Sequence, residues 1–432
     1  MTAGTSPKTP EVANLLQSPL RAYIRSPLLR LLLAVALMNA AGNVFSSVLP
    51  DYLHNALHVS GEVRGALEFP RELPGFLQVF ALGLLAGMST QGAIVLSFFM
   101  GLVAFAGLSL GGISFTAFVV LMMLWSAGMH FYTPLRDALA MELAGPSRRG
   151  RVLGDTGAFR SVGLMIGTGL VWLSMSLMRT GYTGAFAAAG ACMLLGIFVS
   201  AGRSGPRSAS DGNRAARRPR FVFRRQYRLY YTLATLFGAR KQIFLTFAPW
   251  LLVSAFGQRA PQLAAAMAVS AVLGLFSKPM FGNLIDKYGE RTVLTGESIL
   301  VFLLCLGYAA APGALPASAA VPALYGLYVL DELLFSLSMA RSTYLSRIVL
   351  SQGEMVPTLG LGGTMDHAVS MLIPGAAGLL WAGVGPWAVF VLAAVLAMVN
   401  LVFVRMIPAP GDPRLHPPGQ VPRSTEFDGG LP

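Results

Sequence analysis

Residues 203–225 read RSGPRSASDGNRAARRPRFVFRR, a polar and arginine-rich segment in the middle of an otherwise apolar chain. A helix needs roughly 20 apolar residues to cross a membrane, and long apolar stretches repeat on both sides of this segment. It therefore separates two halves, 28–201 and 227–407, and 202–226 is predicted to be a linker. The predicted spans are 28–50, 66–88, 91–112, 114–143, 150–178 and 182–201, then 227–256, 260–285, 291–312, 320–350, 356–383 and 386–407.

The composition of the 432-residue chain excludes a soluble class of protein. Hydrophobic residues make up 54% and charged residues only 12%, whereas soluble domains carry about 25% charge. We predict an all-α polytopic membrane protein with twelve transmembrane helices. The net charge of +13 does not indicate nucleic-acid binding, because the arginines cluster between spans. Cys192 and Cys305 lie in apolar stretches, so neither a disulfide framework nor a thiolate metal site is expected.

The distribution of basic residues predicts the orientation. Segments rich in Lys and Arg face the cytoplasm, so both the N-terminal segment 1–27 and a disordered tail 408–432 are expected there. We assign the charges Asp51, Glu62, Arg64, Glu68, Arg71 and Glu72 to a mixed first outer loop. The protein is then an integral protein of the inner or plasma membrane. The basic residues are Lys8, Arg21, Arg25 and Arg30 before span 1, Arg148, Arg149 and Arg151 between spans 4 and 5, Lys287 and Arg291 between spans 8 and 9, and Arg405 and Arg414 after span 12.

The two halves resemble each other in sequence. LGDTGAFRSVGLMIG at 153–167 aligns with LGLGGTMDHAVSMLIPG at 359–375. NVFSSVLP at 43–50 aligns with QIFLTFAP at 242–249, which pairs Asn43 with Gln242. Internal repeats of this kind are typical of transporters whose binding site lies where the repeats meet.

The segment between spans 8 and 9 reads GNLIDKYGER, from Gly282 to Arg291. Gly289 permits a tight turn, and Asp286 can accept hydrogen bonds from a neighbouring helix end. The pattern of glycine, aspartate, a basic residue and a second glycine resembles the loop signature of the major facilitator superfamily. Glu290 departs from that signature. The resemblance implies a conformational latch formed by Gly282, Asp286, Lys287, Gly289 and Arg291.

Spans 4 and 5 carry a second resemblance to this superfamily. A run of glycine, proline, acid and arginine-glycine contains Glu142 and Arg149, which we add to the latch. LAGMSTQ at 85–91, the equivalent loop of the first half, lacks the aspartate and the basic residues. Span 5 also lacks the proline associated with drug antiporters, so the subfamily stays unassigned. The resemblance implies two pseudo-symmetric six-helix bundles and a central cavity lined by spans 1, 4, 7 and 10.

Ionisable residues inside the spans predict a functional centre. Each would cost about 2.5–3.5 kcal/mol at a lipid-facing position in the bilayer centre, so they must face the interior or a water-filled cavity. Arginine suits bidentate contacts with carboxylates and phosphates, which favours an anionic substrate. The predicted substrate-binding residues are Arg136, Arg240, Lys241, Arg341, Asn43, Gln242, Tyr132 and Trp125.

Proton coupling is predicted for a second set of residues in the spans, because buried carboxylates and histidines can titrate near neutral pH. Two structural alternatives remain open. In the first, Arg240 or Lys241 pairs with Asp331 or Glu332 and holds spans 7 and 10 together. In the second, Asp366 and His367 tie span 11 to span 2. For Arg160 on span 5, a purely structural role is likewise an open alternative to a functional one. The predicted proton-coupling residues are Asp331, Glu332, Asp366 and His367.

The sequence thus predicts a secondary transporter and no enzyme. No nucleotide-binding loop, nucleophile motif or metal-ligand spacing occurs, so no cofactor and no metal are expected; His54 and His58 are read as a solvated loop face. We expect a monomer in the lipid bilayer that moves a small organic solute with an anionic group, coupled to protons. The alternatives are a non-transporting sensor or scaffold of the same fold, and a lipid or lysolipid flippase.

Overall fold

The computed structural model describes residues 26–78, 80, 88–144, 149–201 and 222–409. Every regular element within these ranges is helical. The predicted N-terminal segment 1–27 and tail 408–432 fall almost entirely outside them, as does most of the linker 202–226, so these predictions are not addressed. The second half of predicted span 2 and the side chain of Arg149 also lie outside the described residues.

The first half contains seven described helices. Span 2 begins as two short helices, α2 (Gly61–Ala66) and α3 (Glu68–Phe76), and a π-helical turn at Leu173–Leu177 follows α6 (Arg149–Trp172). The helices are α1 (Pro27–Asn55), α2 (Gly61–Ala66), α3 (Glu68–Phe76), α4 (Thr90–Ser109), α5 (Phe115–Ala144), α6 (Arg149–Trp172) and α7 (Gly181–Ser200).

The described part of the second half contains six helices. The long helix α9 comprises two predicted spans that meet at Gly289, whose φ of 77° breaks the helix at the turn predicted there. A 3-10 turn at Ser336–Ser338 separates α10 from α11 within predicted span 10. The helices are α8 (Arg228–Phe256), α9 (Ala260–Ala314), α10 (Ala317–Phe335), α11 (Met339–Ile348), α12 (Gln352–Gly383) and α13 (Pro386–Val404).

The described helices match the predicted spans in order, with span 2 described only in part. Eight helical stretches of the described chain are long and apolar enough to cross a membrane, and one of them is the long helix α9, which contains two predicted spans. Helices α8 and α12, at predicted spans 7 and 11, fall outside that set, and both carry ionisable residues at mid-length.

The two halves repeat one packing arrangement. Helix α1 packs against α6 in the first half, as α8 packs against α12 in the second. Likewise α4 packs against α7, as α9 packs against α13. The aligned residues Phe45 and Phe244 each centre an aromatic cluster, with Phe105 and Trp125 in one half and Tyr308 and Phe390 in the other. The structure therefore consists of two pseudo-symmetric bundles.

Contacts between helix ends define two faces of the molecule. The end of α1 meets the beginnings of α7 and α9 through Asp51, which accepts from the Tyr182 hydroxyl (2.8 Å) and the Ala260 amide (2.9 Å). We call this the opposite face. Helix α1 begins at the other face, called the terminal face, where α8 and α12 also begin and are joined by Arg224 and Glu354.

The halves are packed closely together towards the opposite face. A Cβ added to Gly65 of α2 would lie 2.1 Å from the carbonyl oxygen of Pro374 in α12. Thr168 of α6 donates to the Ala264 carbonyl of α9 at 3.0 Å. Near the terminal face the same helices leave open space around their glycines. These glycines are Gly154, Gly157, Gly282, Gly360 and Gly363.

Candidate functional site

A buried charged cluster lies between the halves and is centred on α3. Glu68, which has no exposed surface, pairs with Arg64 (Nη1–Oε1 2.6 Å) and Arg71 (Nε–Oε2 2.5 Å). Gln242 of α8 donates to the same carboxylate at 2.8 Å. A buried charge needs such partners, because an unpaired one is strongly destabilising. The cluster thus joins span 2 of the first half to span 7 of the second.

A histidine branch continues the cluster towards α12. Glu72 pairs with Arg71 (Nη2–Oε1 2.7 Å) and with His367 (Nδ1–Oε2 2.9 Å). The His367 ring lies edge-on to the ring of His130 of α5, with 4.9 Å between centroids. His130 Nδ1 is 2.8 Å from the Ser126 carbonyl oxygen. Span 11 is therefore tied to span 2, the structural alternative proposed for His367.

The positions of these charges correct the sequence interpretation. None of the charges assigned to the first outer loop lies in a loop. Asp51 is on α1 and Glu62 on α2. Arg64, Glu68, Arg71 and Glu72 lie on α2 and α3, where spacings of three, four and seven residues place them on one helical face. The segment EVRGALEFPRELPG resembles a polar loop, because it combines several charges with two prolines. Its partners, Gln242, His130 and His367, are remote in sequence, so only the fold brings them together.

In the second half, each predicted cation of the central spans is ion-paired. Arg240 of α8 pairs with Asp331 of α10, and both are buried. Lys241 pairs with Asp366 of α12 at 2.7 Å. The Arg240–Asp331 contact is the span 7 to span 10 pairing that the sequence left open; the role of either residue in substrate binding or proton coupling stays a prediction.

Arg341 of α11 has a partner that the sequence interpretation overlooked. Its Nη2 lies 3.0 Å from Glu297 of α9, and its guanidinium stacks 4.1 Å from the ring of Phe237. Its Nε and Nη1 have no partner among the residues that the structure describes. Arg341 borders a cavity of about 10 Å³ that is also lined by Asn400, a size that accommodates about one water.

Other predicted substrate-binding residues lie inside the first bundle. Trp125 and Tyr132 of α5 are buried and pack against Phe105 and Phe98. Asn43 of α1 is buried, and its amide group has no partner among the described residues. Arg136 pairs with its neighbour Asp137 (2.8 Å), and about half of the Asp137 side chain is exposed. Arg136 therefore retains access to solvent through its partner.

Two exposed cations lie on helices that pack against each other across the halves. Arg160 lies on α6 and Lys278 on α9, both are exposed, and they are near enough for their charges to interact. Neither forms an ion pair with another described residue. Asp137 of α5 lies near Arg160, and Glu332 of α10 lies near Lys278 and forms no ion pair within the described part of the chain. Lys278 was overlooked in the sequence, although it lies within predicted span 8.

The predicted latch lies at the terminal face, and most of its polar side chains are exposed. Asp286, Lys287 and Glu142 are exposed, whereas Gly289 is buried at its turn. Glu290, which departs from the superfamily signature, is buried and pairs with Arg347 of α11 at 2.9 Å. The loop is thus fixed to span 10 by Glu290. Gly282 and Arg291 complete the loop, and the side chain of Arg149 is not described.

Comparison with known proteins identifies the family. The sequence profile of the Major Facilitator Superfamily matches residues 73–353, well over half of the chain. The chain belongs to this superfamily. Its fold and its family are those of a secondary membrane transporter.

Solved structures of superfamily transporters have the same fold. A nucleoside transporter, NupG, is similar with a TM-score of 0.69 and 14% identity, over 88% of this chain and 99% of that one. A bacterial homolog of the human lysosomal transporter Spinster, in an inward-facing and occupied conformation, gives 0.68 and 16%, over 90% and 97%. A D-xylose–proton symporter gives 0.64 and 15%, over 88% and 97%. No curated protein matches the chain in sequence.

Proposed function

We propose that this superfamily member moves a small organic solute with an anionic group by alternating access, coupled to protons. The observation that carries the proposal is the pair of exposed cations, Arg160 and Lys278, on opposite halves. Like charges near each other repel, and an anion between them would convert that repulsion into attraction. Because the two side chains belong to different halves, the same anion would be released when the halves separate.

Transport by proteoliposomes tests the proposed substrate class. We expect counterflow of at least one organic anion, and we expect Arg160→Gln and Lys278→Gln each to raise its apparent KM by about tenfold or more, as for a lost charge-assisted contact. Arg151→Gln, which removes an exposed charge from the same helix, is the matched control. Counterflow of neutral solutes alone would contradict the anionic substrate, and absence of any counterflow would favour the sensor or scaffold alternative.

Proton coupling is proposed for the titratable groups at the centre. Asp366 is paired with Lys241 and His367 with Glu72, so a proton arriving at either carboxylate would weaken a contact that holds span 11. Asp331 and Glu332, which both lie on span 10, are proposed to take part in proton coupling there. An imposed pH gradient should drive accumulation of the solute, and an uncoupler should abolish it. Accumulation that ignores the gradient would exclude protons as the coupling ion.

We propose that the terminal face is cytoplasmic. The basic residues of the linker and of the loop after α9 support this orientation through the positive-inside rule. A cysteine introduced at Ser210, in the linker, should react with an impermeant maleimide only after the cells are opened. Labelling in intact cells would reverse the topology.

A further inference from the structure

We propose that Glu72, His130 and His367 bind a divalent transition-metal ion between the two halves. A nitrogen of each histidine and a carboxylate oxygen of Glu72 lie within 4.8 Å of one another. Two imidazoles with one carboxylate form a donor set found in zinc sites. The inference does not depend on the solute or on its coupling ion.

The distances are close to those of a loaded site. Zinc binds nitrogen and oxygen ligands at about 2.0–2.2 Å, which places tetrahedral ligand atoms about 3.3 Å apart. His367 Nδ1 and Glu72 Oε2 are already 2.9 Å apart, and the two imidazole rings are in edge-to-face contact. Small side-chain rotations would therefore bring the three donors to an ion.

His130 is held in an orientation suitable for a ligand. The contact between its Nδ1 and the Ser126 carbonyl oxygen, at 2.8 Å, requires Nδ1 to carry the proton, because a carbonyl oxygen only accepts. Nε2 is then left with its lone pair. Metal-binding histidines are commonly oriented in this way, by a hydrogen bond from the other ring nitrogen to a carbonyl or carboxylate.

Gly75 leaves room where the two rings meet. A Cβ at this position would lie 2.6 Å from His130 Nε2 and 2.8 Å from His367 Cε1. A side chain here would therefore occupy the space beside the free nitrogen of His130. The backbone of α3 approaches both rings because the residue is glycine.

The surrounding charges determine which ions fit. Arg71 lies next to Glu72 and opposes a bound dication, and Glu68, which pairs with both Arg71 and Arg64, offsets only part of that positive charge. Imidazole ligands favour Zn²⁺, Co²⁺ and Ni²⁺, whereas Mg²⁺ and Ca²⁺ prefer oxygen ligands. About a fifth of the His367 side chain is exposed, so the site is not sealed from an incoming ion.

A bound ion would stabilise the conformation seen here. Glu72 and His130 belong to the first half, and His367 belongs to the second. A ligand that bridges the halves binds one conformation better than the other, so it shifts the equilibrium towards that conformation. We therefore expect Zn²⁺ to slow alternating access.

Metal binding by the purified full-length protein in detergent tests the proposal without any transport assay. We expect one Zn²⁺ per metal-stripped chain by calorimetry, and a d–d absorption band with Co²⁺. His130→Gln and His367→Gln should each weaken binding by at least about tenfold. His58→Asn is the matched control, because this exposed histidine has a φ of 51°, which asparagine tolerates, and binding should be unchanged.

Several results would overturn the proposal. They are no stoichiometric binding by the wild-type protein, unchanged binding by both folded histidine variants, or loss of binding in the His58 variant. Folding of each variant is checked by gel filtration and by thermal unfolding without metal. If the variants do not fold, X-ray absorption of the zinc-loaded wild-type protein decides, because two imidazoles and one carboxylate must ligate the ion.

Discussion

At the scale of single residues, the buried ion pairs differ in how far water reaches them. Arg240 and Asp331 are both almost completely buried, whereas Arg136 pairs with an Asp137 side chain that is 51% exposed. Removing one member of a buried pair leaves a charge without compensation. The same change in a half-exposed pair leaves the remaining charge to water.

This difference gives the first prediction. Arg240→Gln should destabilise the protein by about 3–5 kcal/mol, and Arg136→Gln, its matched control, by about 0–1 kcal/mol. The double variant Arg240→Gln with Asp331→Asn should recover most of the lost stability, measured by thermal unfolding in detergent. If transport returns together with stability, Arg240 only connects the helices. If stability returns and transport does not, Arg240 takes part in substrate binding or in proton coupling.

A second prediction concerns the ion pair between Arg224 and Glu354 at the terminal face. Hydrogen bonds from Arg224, and then from Tyr227, lower the pKa of the Glu354 carboxyl below its ordinary value. A carboxyl with a lowered folded-state pKa contributes stability above its unfolded pKa and loses it as the pH falls through the folded value. Glu354→Gln should therefore lower the unfolding temperature at neutral pH, and the difference from wild type should shrink in acid. A difference that is constant with pH would refute the link to ionisation.

The limits of the sequence are also clearest at this scale. Charges within apolar stretches, such as Arg240 and Asp331, could be recognised because a lipid-facing charge is costly. Glu68 and Glu72 were assigned to the first outer loop although the predicted span 66–88 contains them, because their segment has the local composition of a loop. Pairing between Gln242 and Glu68, 174 positions apart, depends on how the two halves meet.

At the scale of helices, the contact between α1 and α6 depends on glycine. A Cβ on Gly163 would lie 2.3 Å from the Ala36 carbonyl oxygen, and one on Gly167 would lie 2.5 Å from the Ala40 carbonyl oxygen. Small residues let membrane helices approach closely, which increases their van der Waals packing. The spans themselves were predictable from apolar length, but which of the many glycines lie in contacts was not.

The third prediction compares two glycines of α6. Gly163→Ala should force α1 and α6 apart and destabilise the protein by about 1–3 kcal/mol, as overpacking does. Gly169→Ala is the matched control, since a Cβ there meets no atom within 4 Å and alanine favours helix by up to about 1 kcal/mol. Thermal unfolding measures both. Equal effects at the two positions would mean that the α1–α6 contact does not limit stability.

The fourth prediction concerns the loop within α9. Asp286 is exposed and forms no hydrogen bond or ion pair with another described residue, so Asp286→Asn should leave the unfolding temperature of this conformation unchanged. If the loop acts as a latch in the alternate conformation, the variant should slow turnover and change substrate affinity by only a few-fold. Normal turnover in proteoliposomes would show that the signature has no role in this chain.

At the scale of the whole molecule, Asp51 helps to seal the opposite face. This buried residue of the first half accepts from the Ala260 amide at the start of α9 and pairs with Arg259 at 3.3 Å. The helix dipole also favours a negatively charged side chain at a helix N-terminus. These contacts join the halves only while the face is closed, so they stabilise the conformation seen here over any conformation open at that face.

The last prediction follows from this seal. Asp51→Asn should weaken the ion pair with Arg259. Because this ion pair stabilises only the closed conformation, its loss should raise the population that is open at the opposite face. A cysteine at Thr246 reports that population, because Thr246 is fully buried and lies one helical turn from Gln242 on the side towards the opposite face. With Cys192 and Cys305 replaced by alanine, the maleimide labelling rate at position 246 should rise severalfold in the Asp51 variant. Arg259→Gln should act in the same direction, and Asp155→Asn, far from the seal, should not; unchanged labelling in both seal variants would assign closure of this face to the glycine contacts of α2 and α12.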